Sequence, residues 1–377
     1  MKHLHRVFFS FVLFVSVATS ARGAATQVIA WGRNGSGQTN VPAGLTDAVD
    51  VAAGGYTSFA LRANGTVVAW GNNAYGQATP PLGLTNVIAI GAGFLHALAL
   101  RADGTLVGWG SDYYGESENP AGLSNVVAIA AGQYTSAALR ADGTVMCWGE
   151  NIYGVTNVPA GLSNVVAIAM GITHALALRS DGTLVVWGAG APVIPGGITN
   201  AVEIKATYFS MVLLSDGTLQ GWGSDYHGVV SLANGRSNVV AFSAGPEHVL
   251  GLESDGTVVA WGNNAYGETT VPAGLSNVVA VAAAGADALN HSVALIGGGP
   301  ASPAPTLSIQ VRNGSPAITL NGQPRAHYVI EYTDQLGPGA NWQFAQNVFL
   351  QGPVQAVPGL NTSANAASRF YRARFVP

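Results

Sequence analysis

Between residues 66 and 104 the chain reads TVVAWGNNAYGQATPPLGLTNVIAIGAGFLHALALRADG, and its apolar positions fall into three short segments, 66–70, 87–92 and 97–101. Each is about five residues, β-branched or alternating, and bounded by Gly, Pro or Asn. That is the pattern of short strands, and nothing in the unit has helical length. The third segment runs into Asp103-Gly104 and then straight into the next strand. An Asp-Gly or Asn-Gly pair between apolar runs predicts a tight hairpin, because such a turn needs positive φ. The pair recurs at Asn64-Gly65, Asp142-Gly143, Asp181-Gly182, Asp216-Gly217 and Asp255-Gly256, which makes six complete hairpins.

The segment after each hairpin ends in Trp-Gly, at Trp31, Trp70, Trp109, Trp148, Trp187, Trp222 and Trp261, with spacings of 39, 39, 39, 39, 35 and 39 residues. A period this regular marks a repeat architecture, whose unit buries its apolar face only by stacking on its neighbours. The seventh hairpin is split between an orphan strand at 27–31 and another at 292–296. Pairing of these first and last strands would complete the set and remove exposed edges. The expected fold is therefore all-β, a seven-bladed β-propeller closed by that pairing. Identical placement beside small residues puts the tryptophans between blades rather than at a binding surface.

The pattern W-G-x-N-x-x-G-Q, followed by V-x-x-I-A-x-G-x-x-H-x-x-A-L-x-x-D-G, resembles the repeat of the regulator of chromosome condensation family and covers about residues 27–296. The resemblance implies a seven-bladed propeller that binds proteins. The short period and lack of inserted loops are more similar to the secreted bacterial branch of that family, which includes beta-lactamase inhibitory protein II, than to its nuclear exchange factor. The fifth unit departs from the pattern: after Trp187-Gly188 it is four residues short and lacks the N-x-x-Y-G-Q segment. The sixth and seventh are also irregular, the latter through an insertion at 286–289. A specific site is expected where copies diverge.

Composition changes the picture mainly by exclusion. Of 377 residues, 9% are charged, 48% hydrophobic and 50 are Gly, which suits short strands and tight turns and argues against disorder. The formal charge is -4 and no basic cluster lies beyond the first residues, which argues against nucleic acid. Lys2 and Arg6 precede a short apolar run and small residues follow, so residues 1–25 read as a secretory signal peptide. Its removal leaves a mature chain near about -7. Cys147, the only cysteine, takes a small apolar slot before Trp148 and reads as a buried thiol. Residues 26–296 are assigned to the propeller and 297–305 to a Gly/Pro linker. Residues 306–377 read as a small β-sandwich-like domain, with Trp342 in its core and no apolar span that would anchor a membrane.

Strand direction places the loop after Trp-Gly and the Gly-x-x-x loop on one face, and the Asp-Gly turns on the other. The shared face collects Tyr75, Tyr114, Tyr153, Tyr226 and Tyr266 after Trp-Gly, with Tyr56, Phe94, Tyr134 and Tyr208 in the neighbouring loops. Aromatics ringed by Asn and Gly with little charge suit a protein-binding surface or a sugar-binding one. His96, His174 and His248 share one repeat position with Thr57 and Thr135, and His291 is nearly equivalent, so a loop-bonding polar role is expected rather than metal ligation. No nucleophile elbow, zinc spacing or acid pair stands out, and no cofactor is expected. The expectation is a secreted non-enzymatic binding protein whose partner is an extracellular or cell-surface protein. The alternative is a carbohydrate-binding or carbohydrate-degrading protein acting on polysaccharide, marked by an acidic pair in one pocket on the ring axis or by parallel exposed rings.

Overall fold

A computed structural model describes residues 24–285 and 290–298 and, beyond them, the backbone of six strands. Seven three-stranded antiparallel sheets form the blades. The first comprises Ala48–Gly54, Thr57–Arg62 and Val67–Gly71, the second Val87–Ala92, His96–Arg101 and Leu106–Gly110, and the third Val126–Ala131, Thr135–Arg140 and Val145–Gly149. The fourth comprises Val165–Met170, Ala175–Arg179 and Leu184–Trp187, the fifth Ala201–Ala206, Phe209–Leu214 and Leu219–Gly223, and the sixth His248–Glu253 between Val239–Ala244 and Val258–Gly262. In the seventh sheet His291–Gly298 lies between Val278–Ala284 and Ala24–Gly32, with Trp31 opposite Ser292, so the first strand pairs with the last of the repeats. Among the described residues no helix is long and apolar enough to cross a membrane.

The middle strands are buried on both faces because each blade is covered by a neighbour on either side. Ala97, Leu98, Ala99 and Leu100 are at most 1% exposed, which is why these strands read as almost unbroken apolar runs. Successive blades share cores. Phe59 and Leu61 of the first pack with Ala97, Ala99 and Trp109 of the second, and Val293 and Leu295 of the seventh pack with Val51 and Trp70 of the first.

Polar bonds then lock the seams. The indole N–H of Trp70 donates to the carbonyl of Gln38 at 2.9 Å, 32 residues earlier in the preceding blade's loop. Trp31, Trp109, Trp148, Trp187 and Trp261 repeat the contact with Glu268, Gln77, Glu116, Val155 and Val229. Trp222 is buried, but its N–H has no partner among the described residues. The physical reason is the shortened fifth unit, which lacks the segment that supplies the carbonyl elsewhere. The glycine after each tryptophan has φ between +95° and +111°. At Gly71 an added Cβ would collide with the carbonyl oxygen of Tyr56, so the dipeptide is set by backbone geometry as well as by the indole.

The hairpin turns differ from the expected two-residue form. Only their glycines, such as Gly65 (φ +75°) and Gly104 (φ +80°), have positive φ. Gly104 N–H bonds to the carbonyl of Arg101, while Asp103 accepts the backbone N–H and hydroxyl of Thr105. This is a three-residue loop closed by a left-handed glycine, with the aspartate bracing the turn. The Thr105 hydroxyl holds the Asp103 carboxyl below its ordinary range.

The histidines also require a correction. Thr57 does bond a loop carbonyl, that of Asn72, but His96, His174, His248 and His291 instead reach across seams, through Nε2, to Ser136, Ser210, Ser292 and Ser58 of the next blade at 2.8–3.0 Å. Serine sits on the first, third, fifth and seventh blades and histidine on the second, fourth, sixth and seventh. With an odd number of blades, one blade must carry both, and the seventh does. Ser58, Ser136 and Ser292 spend their single proton on the carbonyls of Gln38, Glu116 and Glu268. The histidine Nε2 must therefore be the donor and Nδ1 the unprotonated atom. Cys147 packs at the seam of the third and fourth blades, where burial pushes its thiol up to about 12.

Beyond the blades, Thr306–Arg312, Ser315–Asn321 and Val354–Val357 form one three-stranded antiparallel sheet. Gln343–Phe349, His327–Thr333 and Phe370–Val376 form another. Nearly all of the expected signal segment, the 286–289 insertion, most of the linker and Trp342 lie outside the described residues.

Burial lowers His96, His174 and His291 from 6.5 to about 4, and His248 to about 3, so all are neutral at pH 7. In the unfolded chain they gain protons near 6.5, so stability is complete above that pH and falls as pH drops toward 4, by on the order of 3 kcal/mol per histidine. Denaturant titration between pH 7 and 4 should show this slope. Ser136→Ala, which strands the His96 N–H, should cost about 1–3 kcal/mol at pH 7.

Candidate binding face and its relatives

The close approach of Gly71 to Tyr56, and the bond from Asn72 N–H to the Tyr56 carbonyl at 3.0 Å, hold the loop after Trp-Gly against the Gly-x-x-x loop. The two loops share a face, as expected. The tyrosines after Trp-Gly are positioned by the residue two places on, whose side chain folds back onto their backbone. Gln77 accepts the N–H of Tyr75, Glu116 that of Tyr114 and Glu268 that of Tyr266, at 2.7–2.9 Å. The carbonyls of these same residues receive the next blade's indole. The seam and the face are thus built from one residue.

Four of the expected aromatics form a continuous chain of ring contacts across the first three blades. Tyr56 meets Phe94 at 5.5 Å, Phe94 meets Tyr134 at 5.8 Å, and Tyr134 meets Tyr114 at 5.4 Å. Tyr113, which the sequence reading missed, extends the chain at 4.8 Å from Tyr114 and is 84% exposed. Its signal was a tyrosine where Ala74 and Ala265 stand in sister repeats. Tyr75, Tyr153 and Tyr208 are exposed but stand outside this chain, and Tyr266 lies under the Arg33 guanidinium at 4.6 Å. Tyr226 sits in the 3-10 turn Tyr226–Gly228, in the slot of Tyr113 rather than that of the motif tyrosines, beside His227. The continuous chain of rings therefore falls in the regular blades, while the sixth unit, one of those where a site was expected, holds the Tyr226–His227 pair. Regular spacing brings rings from adjacent blades within reach, whereas the shortened unit interrupts the series.

The Gly-x-x-x loops surround the axis, where Gly55, Phe94, Gln133, Ile172, Tyr208 and Pro246 line a mouth of about 120 Å³. Deeper lies a cavity of about 210 Å³ lined mostly by Ala, Ile and Met, with Asp50, Glu203 and Lys205 as its charged groups. Sequence reading missed these because Asp50 and Glu203 replace alanine in only two copies of one repeat slot, and Lys205 replaces a small residue in one copy of another. Glu203 pairs with Lys205 and also accepts the N–H of Phe242, while Asp50 accepts that of Val51. Among the described residues no set of three or more His, Cys, Asp or Glu side chains could hold a metal ion.

Tyr114 is held above its ordinary range, first by loss of solvent around the ring and then by the charge and hydrogen bond of Glu150. Titration of the Tyr114 ring by carbon NMR should show this elevation, and Glu150→Gln should lower the value toward that of free tyrosine. An unchanged value would remove Glu150 from the aromatic chain's surroundings.

The profile of the regulator of chromosome condensation (RCC1) repeat matches residues 48–77, 87–116, 126–155, 165–191 and 239–268. No curated protein matches the chain in sequence. Among solved structures, yeast RCC1 (Prp20), crystallised with Kap60, superposes with a TM-score of 0.61 at 16% identity, over 80% of this chain and 97% of that one. Human WBSCR16 follows at 0.56 and 19%, over 73% and 99%. The ectodomain of the receptor kinase ACR4 from Arabidopsis thaliana gives 0.50 and 20%, over 63% and 91%. Five repeats of the RCC1 family are thus matched on seven blades of this architecture.

Proposed function

We propose that this is a secreted, non-enzymatic binding protein that uses its aromatic face to hold an extracellular or cell-surface protein, in adhesion or in inhibition of an extracellular enzyme. The observation that carries the reading is the unbroken chain Tyr56, Phe94, Tyr134, Tyr114 and Tyr113. Rigid rings held by their neighbours offer large contact area at low entropy cost, the property of interface anchors. Relatives by fold support a protein partner: yeast Prp20 is described with Gsp1p and histones, and with Kap60. The apolar run near the N-terminus supports export.

A second reading, carbohydrate binding or degradation, draws on Asp50 and Glu203, two carboxylates in one axial cavity. Against it, Glu203 is already neutralised by Lys205, and the cavity's mouth is small for a sugar chain.

The propeller-bearing chain, used as bait in the secreting organism's culture medium, should retain a partner that is lost when Phe94, Tyr134 and Tyr114 are changed to Ala. Full retention by the variant would sink the aromatic-face reading. Release of reducing sugar from a polysaccharide panel, abolished by Asp50→Asn or Glu203→Gln, would establish the second reading instead.

A further inference from the structure

The loops after the seven tryptophans are not equivalent at their outermost residues. Four residues past Trp109, Trp148 and Trp222 stand Tyr113, Ile152 and Tyr226, exposed by 84%, 72% and 64%. In the shortened loop after Trp187, Val193 is 90% exposed. The loops after Trp31, Trp70 and Trp261 carry Gly35, Ala74 and Ala265 at the same slot. Large apolar side chains thus occupy four consecutive loops on one side of the face and are replaced by small residues on the other. Leu82 is also fully exposed, but at a different slot, beside Pro80 and Pro81. A folded chain gains nothing for its own core from side chains this exposed, and clustering of this kind marks an interaction site.

The charges in this arc are mostly acidic. Asp112, Glu118 and Asp225 are exposed in these loops and Glu150 is half-buried beside Tyr114. Arg236 lies over the Trp261 ring at 4.7 Å while donating to the carbonyl of Leu232, and the His227 ring abuts Tyr226. Backbone N–H groups, chiefly that of Ser231, hold the Asp225 carboxyl below its ordinary range. Over residues 26–296 acidic side chains outnumber basic ones by more than two to one.

From this juxtaposition we infer that the arc from Tyr113 through Ile152 and Val193 to Tyr226 docks a basic protein surface, one that presents Lys or Arg side chains beside apolar ones. The inference rests on the aromatic-face reading above and names the chemistry of its partner. Apolar contacts at the rim supply the buried area, and Asp112, Glu118, Glu150 and Asp225 select cationic partners and speed their approach. The opposite side, where Arg33 covers Tyr266, lacks both features and leaves the partner seated off the axis.

The probe is a phage-displayed library of random dodecapeptides panned on the full chain, with the selected peptides then synthesised and titrated. Expected peptides carry net positive charge with Lys or Arg next to an apolar residue. Tyr113→Ala, Ile152→Ala and Tyr226→Ala together should weaken them at least tenfold. Glu118→Gln with Glu150→Gln should weaken them several-fold at low salt and abolish most of their salt dependence. The substitutions of Tyr113, Ile152, Tyr226 and Glu118 are exposed and should leave thermal unfolding unchanged, so a loss of binding by the rim triple reads the surface and not the fold. Neutral or acidic peptides would overturn the inference. So would basic peptides lost on Phe94→Ala but kept by the rim triple, an outcome that leaves the aromatic-face reading standing. Peptides kept by both variants would overturn the two together. Self-association that the rim triple abolishes would replace the basic partner with a second copy of the chain.

Discussion

One carbonyl oxygen at six of the seven seams holds much of this molecule in place. The carbonyl of Gln38 accepts both the Trp70 indole and the Ser58 hydroxyl of the next blade, and Ser58 in turn accepts from His291 of the blade behind. Both lone pairs of the oxygen are used, and the first and seventh blades meet through three side chains and one loop. Glu116 does the same with Trp148 and Ser136, and Glu268 with Trp31 and Ser292. Inside a seam these bonds are shielded from water, where leaving one unmade costs more than making it gains. The repeat is therefore uniform at the seam and free to vary a few residues away.

That division explains how the binding face is made. The side chain of the same Gln or Glu folds back to hold the backbone of the tyrosine two residues earlier. Seam bonds thus fix the position of each loop, while the residue one place before that tyrosine points outward and can be Ala, Ile or Tyr without disturbing the blade. The fifth unit shows the converse. It has lost the carbonyl, and Trp222 remains buried with no partner for its N–H among the described residues. Apolar packing of Trp222 with Ala167, Leu176, Ile204 and Val212 holds that seam without the bond.

Much of the fold was legible because repetition makes each local signal appear seven times. The predicted segment 97–101 is the strand His96–Arg101, the Trp-Gly segment 66–70 is Val67–Gly71, and the orphan strands pair as Gln27 opposite Ile296. The tight hairpin was foreseen, but not its turn type, since Asp-Gly is compatible with more than one loop length. The histidine bonds were not foreseen because their serine partners lie 36–44 residues ahead, or 233 residues back for His291. The site was only partly legible. Tyr56, Phe94, Tyr134 and Tyr114 were named and do meet, but a sequence period says which residues share a face and not which rings touch. Tyr113, Ile152 and the axial Asp50 and Glu203 escaped because the consensus drew attention to what recurs in every copy, whereas these depart from it in only two or three copies of a slot.

The seam bond can be observed directly through the indole protons. Proton–nitrogen correlation spectra with hydrogen exchange should show Trp31, Trp70, Trp109, Trp148, Trp187 and Trp261 shifted downfield and protected, with Trp222 set apart upfield as a buried N–H that has no acceptor. A Trp222 signal inside the range of the other six, or six protons that exchange as fast as free indole, would contradict the carbonyl as the feature on which blades and face depend.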